Sequence, residues 1–433
     1  MMIRAGDHPL TLRLRHPSLT VEDLDFALKH LDKARVFDID ESACKQEHDP
    51  WILEPAEFSQ RTFPALEEMS LYLKGAHAEQ HTLLTPDIWE LPAATTPLLK
   101  RLSLKAPLIF LAYCDRELEL SYAVPTFPLQ PNAGVQPVKL PVLEHLRVGT
   151  NANVGIGFWN HITVPSSCTV VLDLYEIDQD YPDFLSHLQA IPSRLGGTAF
   201  DALIVGLSVW DTKADADDEG ATTYGDATVC WLVSDTGYEN NAWTGPFRRD
   251  YRERMSVYMY DIEITEPHFV RLMAQSLTVV DAGRIEVLEI GSHLAYDAQR
   301  WSRVISPFNN LHTLYLEDMP RTPLLLSLDS ATSIERQDFA SIVLPALRFL
   351  WLQELDLTEE SDGEIPEGPN RVQFTRMLLS RKQQGFPVHH LRIGELYMDT
   401  KLAEKSFLPR IRAIVPLVEC DTIIPDKHSG NGS

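Results

Sequence analysis

An apolar pattern spaced L-x-x-L-x-L recurs along the chain, and it restricts the possible folds more than any other feature of the sequence. In four copies a proline stands two residues before the first apolar position, as Pro64, Pro97, Pro141 and Pro345. Four further copies lack this proline. The first apolar residues of the eight copies are Ala34, Leu66, Leu99, Leu143, Ile285, Leu311, Leu347 and Val388. Recurrence at intervals of tens of residues is typical of a repeat architecture.

The L-x-L part of each copy predicts a short β-strand. Side chains alternate along a strand, so the two apolar residues face the same side. The proline fixes φ and disfavours helix immediately before the strand. One such strand cannot bury its apolar side alone, whereas parallel neighbours bury a continuous core, as in leucine-rich repeats. Residues 169–174 and 203–209 are predicted as additional strands of this kind.

Helices are predicted between the copies, because parallel strands need crossover connections and these are usually helical. The predicted helices cover residues 21–30, 181–191, 268–277 and 372–382, where apolar residues recur at helical spacing. Thr20 is suited to cap the first helix, while Gly385 and Pro387 end the last one. We expect the apolar stripes of these helices to cover the strands.

The fold predicted from these elements is an α/β leucine-rich-repeat-like solenoid over residues 1–424, with a curved parallel sheet and helices on its outer face. The pattern is hardest to follow between about 150 and 280, where an irregular inserted region is expected. Residues 425–433 are polar and are expected to form a disordered tail. The alternative is an ordinary α/β domain in which the pattern recurs by chance.

Charge and hydropathy exclude several classes of protein. The chain has 62 acidic and 38 basic residues, a formal charge of −24, and such a surface repels phosphate. The N-terminus lacks the apolar region of a secretory signal, and the most apolar stretch, residues 106–114, is half the length of a membrane span. We therefore expect no nucleic-acid or membrane partner, and a location in the cytoplasm or nucleus.

Three short motifs suggest chemistry but lack residues that the chemistry requires. Residues 155–160 begin like a nucleotide-binding glycine loop without its third glycine, so a turn is predicted. The acidic stretch 211–226 matches calcium-loop positions but lies between predicted strands instead of helices. His77 and His81 are four residues apart, without the adjacent glutamate of a metalloprotease helix. We predict no enzyme, cofactor or metal site; the alternative is a hydrolase-like enzyme that uses residues 150–280.

The middle residue of each L-x-L strand is the predicted binding position. It faces away from the leucines, on the strand surface that repeat proteins use for their partners. An outward tyrosine and tryptophan beside an arginine have the composition that favours binding hot spots. The candidate partner-binding residues are Asp38, Ser70, Ser103, Arg147, Glu289, Tyr315, Trp351 and Arg392. The competing interpretation is that Tyr315 and Trp351 are covered by an inserted loop.

Four segments resemble the basidiomycete F-box proteins with degenerate leucine-rich repeats. Residues 4–14 (RAGDHPLTLRL) are similar to the family segment that follows the F-box. Residues 344–357 (LPALRFLWLQELDL) and 378–396 (LLSRKQQGFPVHHLRIGEL) resemble C-terminal repeats, and residues 411–421 (IRAIVPLVECD) resemble the closing segment. The resemblance covers both ends of the chain well and the middle poorly.

The resemblance implies that the chain binds a protein substrate as the recognition part of an F-box type ubiquitin-ligase adaptor. Family members carry a helical F-box that docks the Skp adaptor of a cullin–RING ligase. No such segment precedes Arg4 in this sequence, so Skp and cullin are expected as partners only if an F-box lies upstream. The alternative is a stand-alone repeat scaffold without a role in ubiquitylation.

Overall fold

The computed structural model describes a little more than half of the chain, and all structural statements concern these residues. They are residues 9–15, 20, 23, 26–27, 29–40, 62–72, 88–91, 98–105, 109–112, 116–121, 137–175, 177, 195, 200–213, 222–234, 251–263, 282–292, 301–302, 305–317, 325, 327–328, 343–357 and 371–425. The protein is a mixed α/β protein in which most strand pairings are parallel. It divides into two compact units. The first comprises Met1–Phe184, Arg194–Gly197 and Val257–Tyr260, and the second comprises Leu185–Ser193, Thr198–Ser256 and Asp261–Ser433.

The first unit is built on parallel strands. Its strands are β1 (Leu10–Leu14), β2 (Ala34–Asp40), β3 (Glu68–Tyr72), β4 (Ile88–Leu91), β5 (Arg101–Lys105), β6 (Ile109–Ala112), β7 (Glu117–Ser121), β8 (Val138–Lys139), β9 (His145–Asn151), β10 (Ile162–Thr163) and β11 (Thr169–Tyr175). Seven of them form a parallel sheet in the order β1-β2-β3-β5-β7-β9-β11. The remaining four form the short pairs β4–β6 and β8–β10.

The apolar residues of the repeated pattern form two continuous buried rows in this sheet. One row contains Phe37, Met69, Leu102, Leu118, Leu146 and Val170, each opposite the next across neighbouring strands. The other contains Ile39, Leu71, Leu104, Leu120, Val148 and Leu172 in the same register. All twelve side chains are buried. The prediction that the apolar triplets occupy adjacent parallel strands is therefore confirmed for the first unit.

A tight turn precedes each of several strands and explains the proline of the pattern. The amide of Leu66 donates to the carbonyl of Phe63 (3.2 Å), and the amide of Leu143 donates to that of Leu140 (3.3 Å). Pro64 and Pro141 occupy the second position of these turns, where their fixed φ is favoured. The leading apolar residue then enters the core directly before the strand.

Helix α1 (Ala152–His161) contradicts the turn predicted at residues 155–160. Its first turn is capped by the Asn151 side chain, which accepts from the Asn153 amide at 3.1 Å. Most of its residues are buried, so the sequence shows no amphipathic stripe to reveal it. Gly155 permits close approach to β11, because a Cβ there would lie 2.8 Å from Leu174 Cδ2. The glycines thus serve helix–strand contact.

The second unit contains an antiparallel pair followed by parallel strands. Its strands are β12 (Ala202–Lys213), β13 (Thr222–Ser234), β14 (Tyr251–Glu263), β15 (Val287–Ser292), β16 (Thr313–Glu317), β17 (Phe349–Asp356), β18 (His390–Tyr397) and β19 (Leu417–Ile424). Residues 257–260 of β14 are assigned to the first unit. The order is β14-β13-β12-β15-β16-β17-β18-β19. Strands β12 and β13 are antiparallel, and β12 and β15–β19 pair in parallel.

The second unit repeats the buried rows of the first. One row contains Leu203, Leu288, Leu314, Leu350 and Leu391, and the other contains Val205, Ile290, Leu316, Leu352 and Ile393. All ten are buried. The strands predicted at 169–174 and 203–209 are confirmed as parts of β11 and β12. The described part of the 150–280 region contains regular strands, and its break from the pattern corresponds to the long antiparallel pair β12–β13.

One of the four predicted helices is confirmed in full. Helix α2 (Arg371–Gln383) buries Phe374, Met377 and Leu378, and Gly385 follows it with φ +87°. Thr20 caps the first predicted helix, since the Asp23 amide donates to Thr20 Oγ1 at 3.3 Å. The segments 181–191 and 268–277, His77 and His81, and the tail 426–433 lie outside the described residues.

Further helical segments lie before β2 and before the last strand. A 3₁₀-helix spans Leu31–Lys33 before β2. Helix α3 (Thr400–Leu402) continues through a π-helical segment (Ala403–Phe407) into α4 (Leu408–Ile414). Within the described residues, no helix combines the length and hydrophobicity that crossing a membrane requires.

Candidate functional site

The eight residues predicted as binding positions fall into two lateral rows, one in each unit. The first ladder runs Arg13, Asp38, Ser70, Ser103, Glu119, Arg147, Val171 across β1 to β11. The second ladder runs Ile204, Glu289, Tyr315, Trp351, Arg392, Glu419 across β12 to β19. Each member lies directly opposite its neighbour. The strand register therefore brings four predicted residues together in each unit.

The first ladder forms the floor of a groove of about 630 Å³. Its walls and floor include a second row of outward residues two positions earlier on each strand: Val36, Glu68, Arg101, Glu117, His145 and Thr169. Four arginines line it, namely Arg13, Arg15, Arg101 and Arg147. Four carboxylates accompany them, from Asp38, Glu68, Glu117 and Glu119. The groove is therefore close to neutral in a chain of net charge −24.

At one end of the groove, Asp38 holds Arg15. Arg15 Nε lies 2.7 Å from Asp38 Oδ2, and Arg13 Nε lies 3.9 Å from the same oxygen. The hydrogen bond to Asp38, together with its charge, raises the pKa of Arg15. Asp38 Oδ1 is buried and accepts no hydrogen bond within the described residues. The atom exposes less than 1 Å², so the cost of this unpaired acceptor is borne within the fold.

At the other end, Asp173 holds Arg147. Arg147 Nε donates to Asp173 Oδ2 at 2.7 Å, and Tyr260 Oη donates to Asp173 Oδ1 at 3.3 Å. Tyr260 stacks on Tyr175, with ring centroids 5.0 Å apart. Burial by itself lowers the pKa of Arg147, but the hydrogen bond and charge of Asp173 outweigh it, so the pKa is raised. The guanidinium is thus fixed in direction by a buried carboxylate that is itself held by a tyrosine.

The accessible charge of the groove is mainly cationic. The side chains of Arg13, Arg15, Arg101 and Arg147 are 54–64% exposed, whereas those of Asp38 and Asp173 are 7% and 3% exposed. Glu117 accepts from Arg101 Nε at 2.7 Å, and Ser103 Oγ donates to Glu119 at 3.1 Å. Glu68 and Glu117 are 42% and 39% exposed, so the arginines are more exposed than the carboxylates with which they pair.

The second ladder has a different, aromatic character. The Arg392 guanidinium lies 4.1 Å above the Trp351 ring centroid, and Tyr315 meets Trp351 edge-on at 5.2 Å. Arg392 also donates to Asp421 Oδ2 through Nε (3.1 Å) and Nη2 (2.9 Å). This arrangement of cation, ring and carboxylate holds Arg392 on both sides.

Burial corrects the picture of the ladders as an open surface. Asp38, Glu289, Tyr315 and Trp351 are all buried, while Ser70, Ser103 and Arg392 are half-buried and Arg147 is exposed. Trp351 retains only 7% of its exposure. Tyr315 and Trp351 shield one another, and Trp351 lies under the Arg392 guanidinium. Their placement on the strand is as predicted, but they present little surface.

Besides Val171, sequence reasoning missed Arg13 and Glu119 in the first ladder. Both carry the signal that identified the other positions, because each is the middle residue of an L-x-L triplet: Leu12-Arg13-Leu14 and Leu118-Glu119-Leu120. The second triplet lies in the 44-residue interval between the copies at Leu99 and Leu143. Asp173 and Tyr260 were also missed, since only the fold brings these two residues, 87 positions apart, into contact.

The described residues offer no group of three or more His, Cys, Asp or Glu side chains arranged to hold a metal ion. Residues 214–221 of the acidic stretch lie outside them, and residues 211–213 and 222–226 belong to β12 and β13. Comparisons of the chain with protein-family models, curated proteins and solved structures give no match.

Proposed function

We propose that the protein is a leucine-rich-repeat-like solenoid that binds another protein through its outward strand face. The observation that carries this proposal is the register of the ladders: residues from strands far apart in sequence converge, in order, on one face. In the first unit this face is also concave, with a groove of about 630 Å³. A row of single side chains from successive parallel strands is the binding surface typical of repeat proteins.

The same features argue for binding and against catalysis. Most charged groups of the groove are paired along the strands, and the Ser103 hydroxyl, which donates to Glu119, belongs to the same row of lateral pairs. The long row suits contact with an extended partner better than enclosure of a small substrate. A hydrolase-like enzyme is therefore the weaker proposal.

A test should close the groove without disturbing the core. Ser70 is a small, half-buried residue of the first ladder, so Ser70→Tyr fills the groove. Ser167→Tyr is the matched control, because Ser167 is exposed in the turn before β11 and does not line the groove. We expect a protein captured by the wild-type chain, once purified, to bind Ser70→Tyr at least about tenfold more weakly, a loss of roughly 1.4 kcal/mol. Equal binding by both variants would reject this face as the binding surface.

The narrower proposal, recognition of a substrate for a ubiquitin ligase, rests on the resemblance to F-box proteins of basidiomycetes. Affinity purification separates three candidate classes: a ubiquitin-ligase adaptor, a stand-alone scaffold and an enzyme. Recovery of Skp and cullin together with a substrate supports the adaptor, and recovery of other proteins alone supports the scaffold. Turnover in an activity screen without protein partners supports the enzyme. We also propose a cytoplasmic or nuclear location, and localisation of a tagged chain tests this.

A further inference from the structure

We propose that the groove of the first unit binds an extended acidic peptide segment, whose carboxylates are received by Arg15, Arg101 and Arg147. This inference rests on the proposed function and specifies the chemistry of the partner. The groove is nearly neutral in net charge, but the side chains of its four arginines are 54–64% exposed, whereas those of Asp38, Glu68 and Glu117 are 7%, 42% and 39% exposed.

The orientation of the guanidinium groups supports an anionic ligand. Arg15 and Arg147 each contact a buried carboxylate through Nε at 2.7 Å, and Arg101 contacts Glu117 through Nε at the same distance. Contact through Nε leaves the edge formed by the two Nη nitrogens for a further partner, and in Arg101 the Nη1 atom also lies 3.7 Å from Glu68 Oε1. A planar guanidinium presented in this way can receive a carboxylate with two parallel hydrogen bonds.

Fixing the arginines also reduces the cost of binding. A free arginine loses side-chain entropy when it is immobilised by a ligand, whereas one already held by a carboxylate loses less. Arg147 is held most firmly, because Tyr260, which stacks on Tyr175, donates to Asp173. The groove is therefore organised before any ligand arrives.

A peptide fits the groove better than other anions. A peptide can carry carboxylates for the arginines, and its backbone N–H groups can donate to Glu68 and Glu117, whose side chains are 42% and 39% exposed. A phosphodiester backbone offers acceptors only. From β1 to β9 the groove crosses six neighbouring strands, about 24 Å at the usual strand spacing. An extended peptide of roughly seven residues covers that distance.

The test uses the full-length protein and three fluorescent peptides of about eight residues, long enough to span the groove. One alternates glutamate with serine, the second replaces each glutamate by glutamine, and the third replaces it by lysine. Fluorescence anisotropy should show the glutamate peptide binding most tightly, and rising salt should weaken this binding. Equal binding of the glutamine peptide, tighter binding of the lysine peptide or binding of none of the three would overturn the inference.

Variants locate the binding. Arg101→Gln and Arg147→Gln should each weaken the glutamate peptide about tenfold, and Arg147→Lys, which keeps the charge but not the planar fork, should have an intermediate effect. Arg116→Gln is the matched control: Arg116 is also in the first unit, is 60% exposed and pairs with Glu144, but does not line the groove. Circular dichroism checks that each variant folds. Arg101→Gln leaves Glu68 and Glu117 without their arginine, but both side chains are partly exposed to water, so this variant is expected to fold.

The proposed function can fail or survive independently of this inference. If Ser70→Tyr abolishes capture of a protein partner while neither arginine variant affects glutamate-peptide binding, the groove is a binding surface for a different chemistry and the inference is wrong. If neither Ser70→Tyr nor the arginine variants change any interaction, both are wrong.

Discussion

Arg381 is a fully buried arginine of α2 whose guanidinium donates hydrogen bonds to backbone carbonyl groups. Its Nη1 and Nη2 donate to the carbonyl oxygens of Val343 and Leu344, each at 2.7 Å. Leu344 has a φ of +53°, a conformation that L residues other than glycine seldom adopt. Arg381 thus bonds the helix to the strained turn before β17. Burial lowers its pKa to about 10, so the group remains charged at neutral pH.

Replacing Arg381 by glutamine should lower the free energy of unfolding by about 2 kcal/mol, because a carbonyl that stays buried loses its donor. Chemical denaturation measures the change. Arg376→Gln, on the exposed side of the same helix, is the control and should stay close to wild type. An unchanged denaturation midpoint for Arg381→Gln would contradict a structural role for the two bonds.

Trp351 is expected to contribute to stability through its burial, even though it lies on the outward side of its strand. Truncation in Trp351→Ala should cost about 3 kcal/mol, since a large buried aromatic leaves a cavity. Val372→Ala, at an exposed position of α2, should cost far less. Thermal unfolding compares the two. A wild-type midpoint for Trp351→Ala would mean that the ring is readily exposed and available to a partner.

Tyr397 should ionise at unusually high pH. Its Oη donates to Glu395 Oε2 at 2.6 Å, and this hydrogen bond, which only the neutral phenol can donate, raises the pKa of Tyr397 from 10.0 to about 12. The folded pKa lies above the unfolded one, so the associated stability is fully present below pH 10 and is lost as the pH rises through 12.

Ultraviolet titration tests this prediction, with Tyr397→Phe identifying the signal among the tyrosines. Glu395→Gln should bring the ionisation back toward 10, because the charged acceptor is removed. A tyrosine that titrates near 10 in the wild type would show that the bond to Glu395 does not persist in solution.

At the scale of the elements, β17 and β18 approach each other closely at Gly394. A Cβ at this position would lie 2.7 Å from the Gln353 carbonyl oxygen, and backbone atoms cannot move aside cheaply. Gly394→Ala should therefore cost about 2 kcal/mol by overpacking.

Gly206→Ala is the matched strand variant, since its Cβ would meet Thr228 at an ordinary 3.8 Å. Comparing denaturation midpoints of the two variants isolates the effect of close approach from that of adding a methyl group. Equal midpoints would show that the two strands separate at Gly394 without cost.

The strands of the parallel runs could be predicted because their signal is local. Each L-x-L triplet buries two residues on one side, and the tight turn before it favours proline. The same signal gave the first ladder apart from Arg13, Glu119 and Val171. Helix α1 could not be predicted in this way, because a helix buried on nearly all sides has no periodic stripe.

The burial of the second ladder could not be predicted from the local L-x-L pattern, for a different reason. Alternation assigns a side chain to one side of a strand but does not show what lies beside it. Trp351 and Tyr315 are adjacent only because β16 and β17 pair in one particular register. Likewise, the contact between Arg147, Asp173 and Tyr260 joins segments that no sequence spacing relates.

At the scale of the whole molecule, the net charge of −24 should govern contact with polyanions. A short peptide in the groove meets the local arginines, whereas a DNA duplex approaches the broader acidic surface. We expect no shift of duplex DNA in gel mobility assays at physiological salt, because binding requires release of counterions by a basic surface. A salt-dependent shift would show that the groove arginines outweigh the acidic surface and attract the DNA.

Within the described residues, each parallel strand pairs only with its lateral neighbours in the sheet, and β19 ends its series with a single described neighbour. Such a structure has no geometrical requirement for a fixed number of strands. Recombination within the gene could insert or remove one strand with its connection, and the remaining strands would keep their pairing. The length of the first ladder is therefore open to stepwise evolution, and related chains could differ in how many residues of a partner they span.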